Sequence, residues 1–409
     1  MRGMTAAMTI GERIAYYRRR RGLSQLVLAG LVGRTEDWLS KVENGRIELD
    51  RLSVIRRVAE ALDVAIGDLV GEPTLLEWTA DSGVQTVPAL RAALMDYRQI
   101  TPLLAGPTES GEPVDLDSLE SDVSLILDAY QASRYGYVTG RTPLVLSDAL
   151  NATRNAESTD RRRALALLAL TYQVAVSVLT KLGETDLAWI ASERGLAAAQ
   201  ESENPVVLGS LFRSVAYALH STGRFAAGVD LVRTAAGVLE THLSSRADDS
   251  FLAVYGTLFL TGAVAAARAE DRSSVSTFLR EAEDSAQRVG RDTNAMWTAF
   301  GPTNVAIHRM ATALELGDVQ VAVDLAPSID VTGLPAERQV RHAIETARAY
   351  TARNRREEAL VALLQAEQVA PEQVRHHALS RQLVLSWVKA NRTHRDSALD
   401  GLAGRLRLV

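Results

Sequence analysis

The chain has 409 residues, 47% of them hydrophobic, which is enough for two or more domains with cores of their own. It contains no cysteine, which excludes disulfides and thiolate chemistry and makes a reducing cytoplasm its natural setting. The net charge of −5 is unevenly spread: residues 1–71 carry twelve basic and nine acidic side chains, leaving −8 for the rest. A mildly basic head on an acidic body is suited to selective DNA contact rather than loose adhesion to any duplex.

The start, Met1-Arg2-Gly3-Met4, has no apolar run of the signal-peptide kind. Periodicity predicts a first helix over Ile10–Arg21, with Ile14 and Tyr17 facing inward and Arg18-Arg19-Arg20-Arg21 at its end. Four arginines there are either a solvated end favoured by the helix dipole or an edge that clamps phosphates. From Ser24 to Arg46 the spacing predicts two short helices joined by a tight corner. Ser24 can cap the first, Gly33 supplies a backbone conformation costly to any side chain, and Ala29 lets the two axes approach. Leu39 and Val42 face inward on the second helix, roughly Thr35–Glu43, and Gly45 ends it. Small residue, glycine four on, then Leu and Val at fixed offsets is the steric recipe of a helix-turn-helix.

From Ile10 to Gly71 the chain resembles the helix-turn-helix domain of XRE (lambda-repressor-like) regulators. The resemblance is carried by Leu23-Ser24-Gln25, Ala29, Gly33, Leu39-Ser40-Lys41-Val42-Glu43-Asn44-Gly45, Ala61-Leu62-Asp63-Val64 and Asp68-Leu69. It implies that the second helix of the pair enters the DNA major groove. It also implies that Gln25, Asn44 and Arg46 position phosphates, and that Arg34, Thr35, Glu36, Asp37, Ser40 and Lys41 contact bases or nearby phosphates. Arg20 and Arg21 join that set through the arginine edge. Of the two acids opening the second helix, one is expected to serve the helix dipole and the other to accept from cytosine N4. Trp38 reads as a packing residue.

The first helix of the pair departs from the family pattern. Leu26, Val27, Gly30 and Leu31 stand where polar residues are usual, so the helix is apolar around most of its girth. Such a face is expected to be covered by the C-terminal domain or by a second subunit.

Leu52–Leu62 closes the small domain, and Gly71-Glu72-Pro73 is the natural boundary. Residues 72–115 read as a linker: a connector over Thr74–Val87, a short helix over Pro88–Tyr97 and a loop over Thr101–Asp115. Residues 116–409 are helix after helix. Turns near Leu182-Gly183-Glu184, Thr222-Gly223-Arg224, Glu270-Asp271-Arg272, Leu316-Gly317-Asp318 and Arg353-Asn354-Arg355 recur at roughly 40-residue spacing, as in a helical-hairpin solenoid. The apolar runs Ala164–Thr180 and Ser250–Ala267 sit at equivalent places in this pattern, and we read them as buried helices rather than membrane spans.

Second helices such as Arg356-Glu357-Glu358-Ala359-Leu360 resemble tetratricopeptide repeats. With the blocks Phe300–His308 and Pro371–His377, nearly the full length resembles actinobacterial regulators that join an XRE head to a tetratricopeptide-like body. The expected fold is therefore all-α, a lambda-repressor-like helix-turn-helix domain followed by a tetratricopeptide-like α-solenoid.

No phosphate loop, metal-binding motif or nucleophile elbow occurs, so no enzyme, cofactor or metal is expected. His342 and Glu345 share a face as an exposed pair, and the adjacent His376 and His377 cannot face one metal. Arg213, Tyr217 and His220, then Tyr255 and Phe259, then Asn304 and His308 share helix faces that either pack between helices or line a groove for a peptide or small-molecule effector. The expected protein is a homodimer on a palindromic DNA operator; the alternative is an interaction scaffold whose helix-turn-helix serves association.

Overall fold

The computed structural model describes residues 8–49, 51–64, 66–70, 87–96, 114–244, 247–390 and 396–408. These residues are helical throughout, with one isolated antiparallel bridge between Thr293 and Phe300. They divide into two compact units: Met1–Thr74 with Ala263–Ser276 and Ala306–Val409, and Leu75–Gly262 with Thr277–Val305. The proposed boundary at 71–73, most of the connector and most of the second loop lie outside the described residues.

The head has five helices: α1 (Ile10–Arg20), α2 (Gln25–Leu31), α3 (Glu36–Glu43), α4 (Leu52–Leu62) and α5 (Ile66–Val70). Hydroxyl caps start the first three. Thr9 and Glu12 form a reciprocal capping box, Ser24 accepts from the Val27 N–H, and Thr35 from the Trp38 N–H. Gly33 turns the corner between α2 and α3 at φ +67°. Ile14, Leu28, Ala29, Leu39, Ile55 and Leu62 form the head's core. Gly11 lets α1 touch α3, because a Cβ there would lie 2.1 Å from the Val42 carbonyl oxygen.

The rest comprises α6 (Val87–Leu94), α7 (Leu116–Gln131), α8 (Tyr135–Asn155), α9 (Ser158–Lys181), α10 (Thr185–Glu201), α11 (Pro205–Ser221), α12 (Phe225–Glu240), α13 (Asp249–Arg268) and α14 (Arg272–Val289). They are followed by α15 (Pro302–Leu316), α16 (Val319–Leu325), α17 (Ala336–Ala352), α18 (Arg356–Val369), α19 (Pro371–His376), α20 (Ala378–Ala390) and α21 (Ser397–Arg405). In the second unit, α7 to α12 stack on their chain neighbours. The short helix expected inside the linker is α6, and its Val87, Leu90 and Leu94 are buried in that unit's core.

The expected turns are all present, and five of them carry a left-handed residue: Gly183, Gly223, Glu270, Gly317 and Asn354. The apolar helices that could pass for membrane spans, Asp160–Lys181 and Asp249–Arg268, are 78% and 89% buried. The Phe300–His308 block forms a packed corner. The Phe300 ring fills the space beside Gly256, where a Cβ would lie 2.0 Å from it, and Asp292 accepts from the Thr303 N–H and hydroxyl at 3.1 and 2.6 Å.

In the first unit the head is held by α20. The Gln382 side chain accepts from the Ile10 N–H at 3.2 Å and donates to the Val70 carbonyl at 2.9 Å. Ser386 donates to Glu48 at 2.6 Å, and Lys389 pairs with Glu12. Behind this seam lies a buried charge network. Glu315 accepts from Arg268 at 3.4 Å and Arg348 at 3.2 Å; Arg348 also reaches Glu345 at 3.1 Å, and Arg341 pairs with Glu345 at 2.7 Å. Burial pushes the Glu315 carboxyl upward, but Arg348 and Arg268 outweigh it and hold the pKa at about 2.

Two outcomes are expected. Gly11→Ala should lower stability by about 1–3 kcal/mol, read by denaturant unfolding, because backbone rather than a flexible side chain must move. Glu315→Gln should destabilise at pH 7 by about 3 kcal/mol. Because the folded pKa lies below the unfolded one, the wild-type advantage is complete at neutral pH and shrinks as pH falls below about 5 toward 2. Unfolding midpoints of the two proteins should converge over that window.

Candidate nucleic-acid interface

Glu43, the last residue of α3, joins three helices of the head. Its carboxylate accepts from Arg18 of α1 at 2.6 and 2.8 Å and from the Gln25 side chain of α2 at 2.8 Å. Arg18 also donates to the Leu23 carbonyl at 2.8 Å. The hydrogen bond to Glu43 raises the Arg18 pKa, so the guanidinium is charged at any working pH. The four-arginine run is thus not one surface feature. Arg18 is buried as an anchor, while Arg19, Arg20 and Arg21 are exposed. Arg21 leans back on the Ala61 carbonyl and on Asp63, at 3.3 and 3.6 Å.

Leu39 and Val42 bury one side of α3 and leave the other to solvent. Arg34, Thr35, Glu36, Asp37, Asn44 and Arg46 are exposed, and Ser40 and Lys41 are half-buried. Thr35 is the N-cap, and Asn44 donates to the Ser40 carbonyl at 2.7 Å, closing the helix's other end. Lys41 pairs with Asp37 at 2.7 Å, one turn away. Of the two opening acids, Asp37 is therefore the one with a partner on its own helix. Trp38 packs on the head's core, with the Arg34 guanidinium 5.5 Å from its ring centre. Glu36, Asp37, Ser40, Lys41 and Asn44 follow one side of α3 and its C-cap, Gln25 of α2 is hydrogen-bonded to Glu43, and Arg21 is drawn to the end of α4 instead.

Leu26, Val27 and Leu31 are 63%, 48% and 62% exposed. Among the described residues of the head's own unit, none from the C-terminal region covers these side chains. Sequence reading also missed the role of Glu43. Its partners lie 25 and 18 residues away, and only the helix crossing makes them neighbours.

The second set of candidates fares differently. Tyr255 and Phe259 belong to a buried aromatic column: Phe251 stacks on Tyr255 at 6.0 Å, Tyr255 meets Phe259 edge-on at 4.9 Å, and Phe259 lies 5.8 Å from Phe278. The Tyr255 hydroxyl donates to Glu240 at 3.3 Å. They are core residues rather than groove walls. Asn304 is fully buried and donates to the Thr298 carbonyl, and His308 and His220 are also buried. Arg213 and Tyr217 remain partly open, with the Tyr217 ring 5.9 Å from that of His220. His342 and Glu345, expected as an exposed pair, are buried as well.

A family model described as a helix-turn-helix domain matches residues 9–71. The immunity repressor protein of Bacillus phage phi105 is 30% identical over 115 residues, which cover 28% of this chain and 79% of that one. Among solved structures, Bacillus thuringiensis PlcR in complex with the peptide PapR7 and DNA aligns at TM-score 0.34 and 13% identity, over 92% of this chain and 99% of that one. BtubC (BKLC) from P. vanneervenii aligns at TM-score 0.38 and 13% identity, over 68% and 94%. Two hydroxyl-capped helices about a left-handed glycine, a match over 9–71 and an alignment spanning most of the phage repressor agree: the chain belongs to the helix-turn-helix family of that repressor and is a transcriptional regulator of helix-turn-helix type.

Proposed function

We propose that the protein is a sequence-specific DNA-binding regulator that acts as a homodimer on a two-fold symmetric operator and whose helical body responds to a peptide or small-molecule effector. The observation that carries the DNA reading is α3 itself, which leaves Glu36 exposed and Lys41 half-buried, has exposed Arg34 just before it and exposed Asn44 and Arg46 just after it, and is fixed from behind by Glu43. In this reading Arg46, Asn44, Gln25 and Arg20 hold phosphates. Glu36, whose neighbour Asp37 is paired with Lys41, accepts from a base edge. Two heads must reach grooves about one helical turn apart, so an effector that alters their spacing changes affinity steeply.

The exposed Leu26, Val27 and Leu31 support self-association through α2. The same face favours a second reading, in which the helix-turn-helix mainly serves association with a partner protein.

Footprinting on the chain's own upstream DNA tests the first reading. Arg46→Ala should weaken binding evenly across sequences and reduce the salt slope by about 1. Glu36→Ala should relax preference at one base position, at a cost of about 1–3 kcal/mol in discrimination. Binding that is shallow in salt and indifferent to sequence would favour the association module. For self-association, the paired substitution Val27→Glu with Leu31→Glu should shift the sedimentation profile toward monomer; an unchanged profile would clear that face of the role.

A further inference from the structure

We infer that a cleft in the first unit, between α17 and α18 beside residues 326–331, binds a small apolar molecule bearing an ammonium or other strong hydrogen-bond donor. The cleft arises from a shortened helix. Second helices of the hairpins run to 17 residues in α10, 16 in α12 and 18 in α14, and α18 has 14. In the same position α16 has only seven, followed by a single 3-10 turn over Ala326–Ser328. Val361 and Val369 of α18 are 52% and 45% exposed, and a cavity of about 620 Å³ opens beside them. That is a size suited to a small organic ligand.

The polar groups in the cleft define what that ligand brings. His342 and Thr346 stand one turn apart on α17 and line it. They are 7% and 9% exposed, and neither His342 Nδ1 nor Thr346 Oγ1 has a hydrogen-bond partner. Burial lowers the His342 pKa, and a hydrogen bond with the Ala326 backbone opposes it only in part, so the ring is neutral. With its N–H spent on that backbone group, Nδ1 keeps a bare lone pair. A buried acceptor left unmet costs about 1–3 kcal/mol, and a donor from the ligand would recover it. The charged side chains lining the cleft are Glu357 and Glu358, with neither lysine nor arginine among them. Arg355, just outside, is engaged with Glu358 at 2.9 Å. Arg355 also stacks on the Tyr350 ring of the cleft wall at 4.5 Å, so its charge is spent on Glu358 and that ring. An anion would meet the Glu357 carboxylate and the His342 lone pair; an ammonium would meet those same acceptors, the Thr346 hydroxyl and an apolar wall.

As an effector site this rests on the sensing reading above, whereas as a binding site it stands alone. Isothermal titration of the full chain with 2-phenylethylamine and with 3-phenylpropionate compares a cation and an anion of similar apolar body. The amine should bind at least about tenfold more tightly. Thr346→Val together with His342→Leu should weaken it by roughly tenfold or more. Val361→Trp, at an exposed position that leaves the core intact, should block the cleft and abolish the signal. Equal affinity for amine and carboxylate, or amine binding untouched by Val361→Trp, would overturn the assignment. A gel shift on the operator with and without the amine reads the sensing role separately: amine binding with unchanged operator affinity keeps the site and removes its regulatory meaning.

Discussion

The head depends on one buried carboxylate. Glu43 ends α3, and its oxygens are taken by Arg18 from α1 and Gln25 from α2. Removing one partner of such a pair would leave a charge stranded out of water, at a cost of about 3–5 kcal/mol. The orientation of α3 is therefore tied to the two helices it crosses. The proposed role of α3 in reading base edges would need that fixity, because such contacts tolerate little error in axis position. The apolar contacts of Leu39 and Val42 with the head's core supply adhesion; the Glu43 junction supplies the angle.

The same unit uses buried charge a second time. Glu315 and Glu345, with Arg268, Arg341 and Arg348, form a chain of ion pairs where apolar packing would have been simpler. Such networks are poor sources of net stability but have directional preferences that apolar side chains lack. Beside it, α20 holds the head through hydrogen bonds and an ion pair from Gln382, Ser386 and Lys389. A cavity of about 450 Å³ lies along this seam, lined by Glu43 and Asn44 on one side and Arg348 and Gln382 on the other. A seam built of hydrogen bonds with space beside it is easier to re-register than a dry, close-packed one.

The helical body shows how a repeat becomes specialised. Its turns reuse a left-handed residue at comparable places, which keeps successive hairpins in similar geometry. The aromatic column around Tyr255 is buried, each ring in contact with the next. Where α16 is short, α18 leaves Val361 and Val369 exposed, and His342 Nδ1 and Thr346 Oγ1 of α17 have no hydrogen-bond partner.

Much of this was legible in the chain of residues, because it is decided between near neighbours. Ser24 and Thr35 cap helices, Gly33 takes a left-handed corner, and Leu39 and Val42 face inward, each for reasons contained in a few adjacent positions. The five hairpin turns were equally local. What the sequence could not reveal was decided between distant elements. Arg18 looks like its three arginine neighbours until α3 brings Glu43 against it. Tyr255 and Asn304 have the chemistry of groove residues, and only the neighbouring helices close over them. Nothing near His342 in the sequence marks it as buried, because helical spacing fixes which residues share a face but not what covers it. Covering is a property of the packed chain, set by the length and crossing of helices far apart in sequence, and so the tertiary structure alone decided which polar side chains are anchored, which are sealed in and which are left facing a cavity.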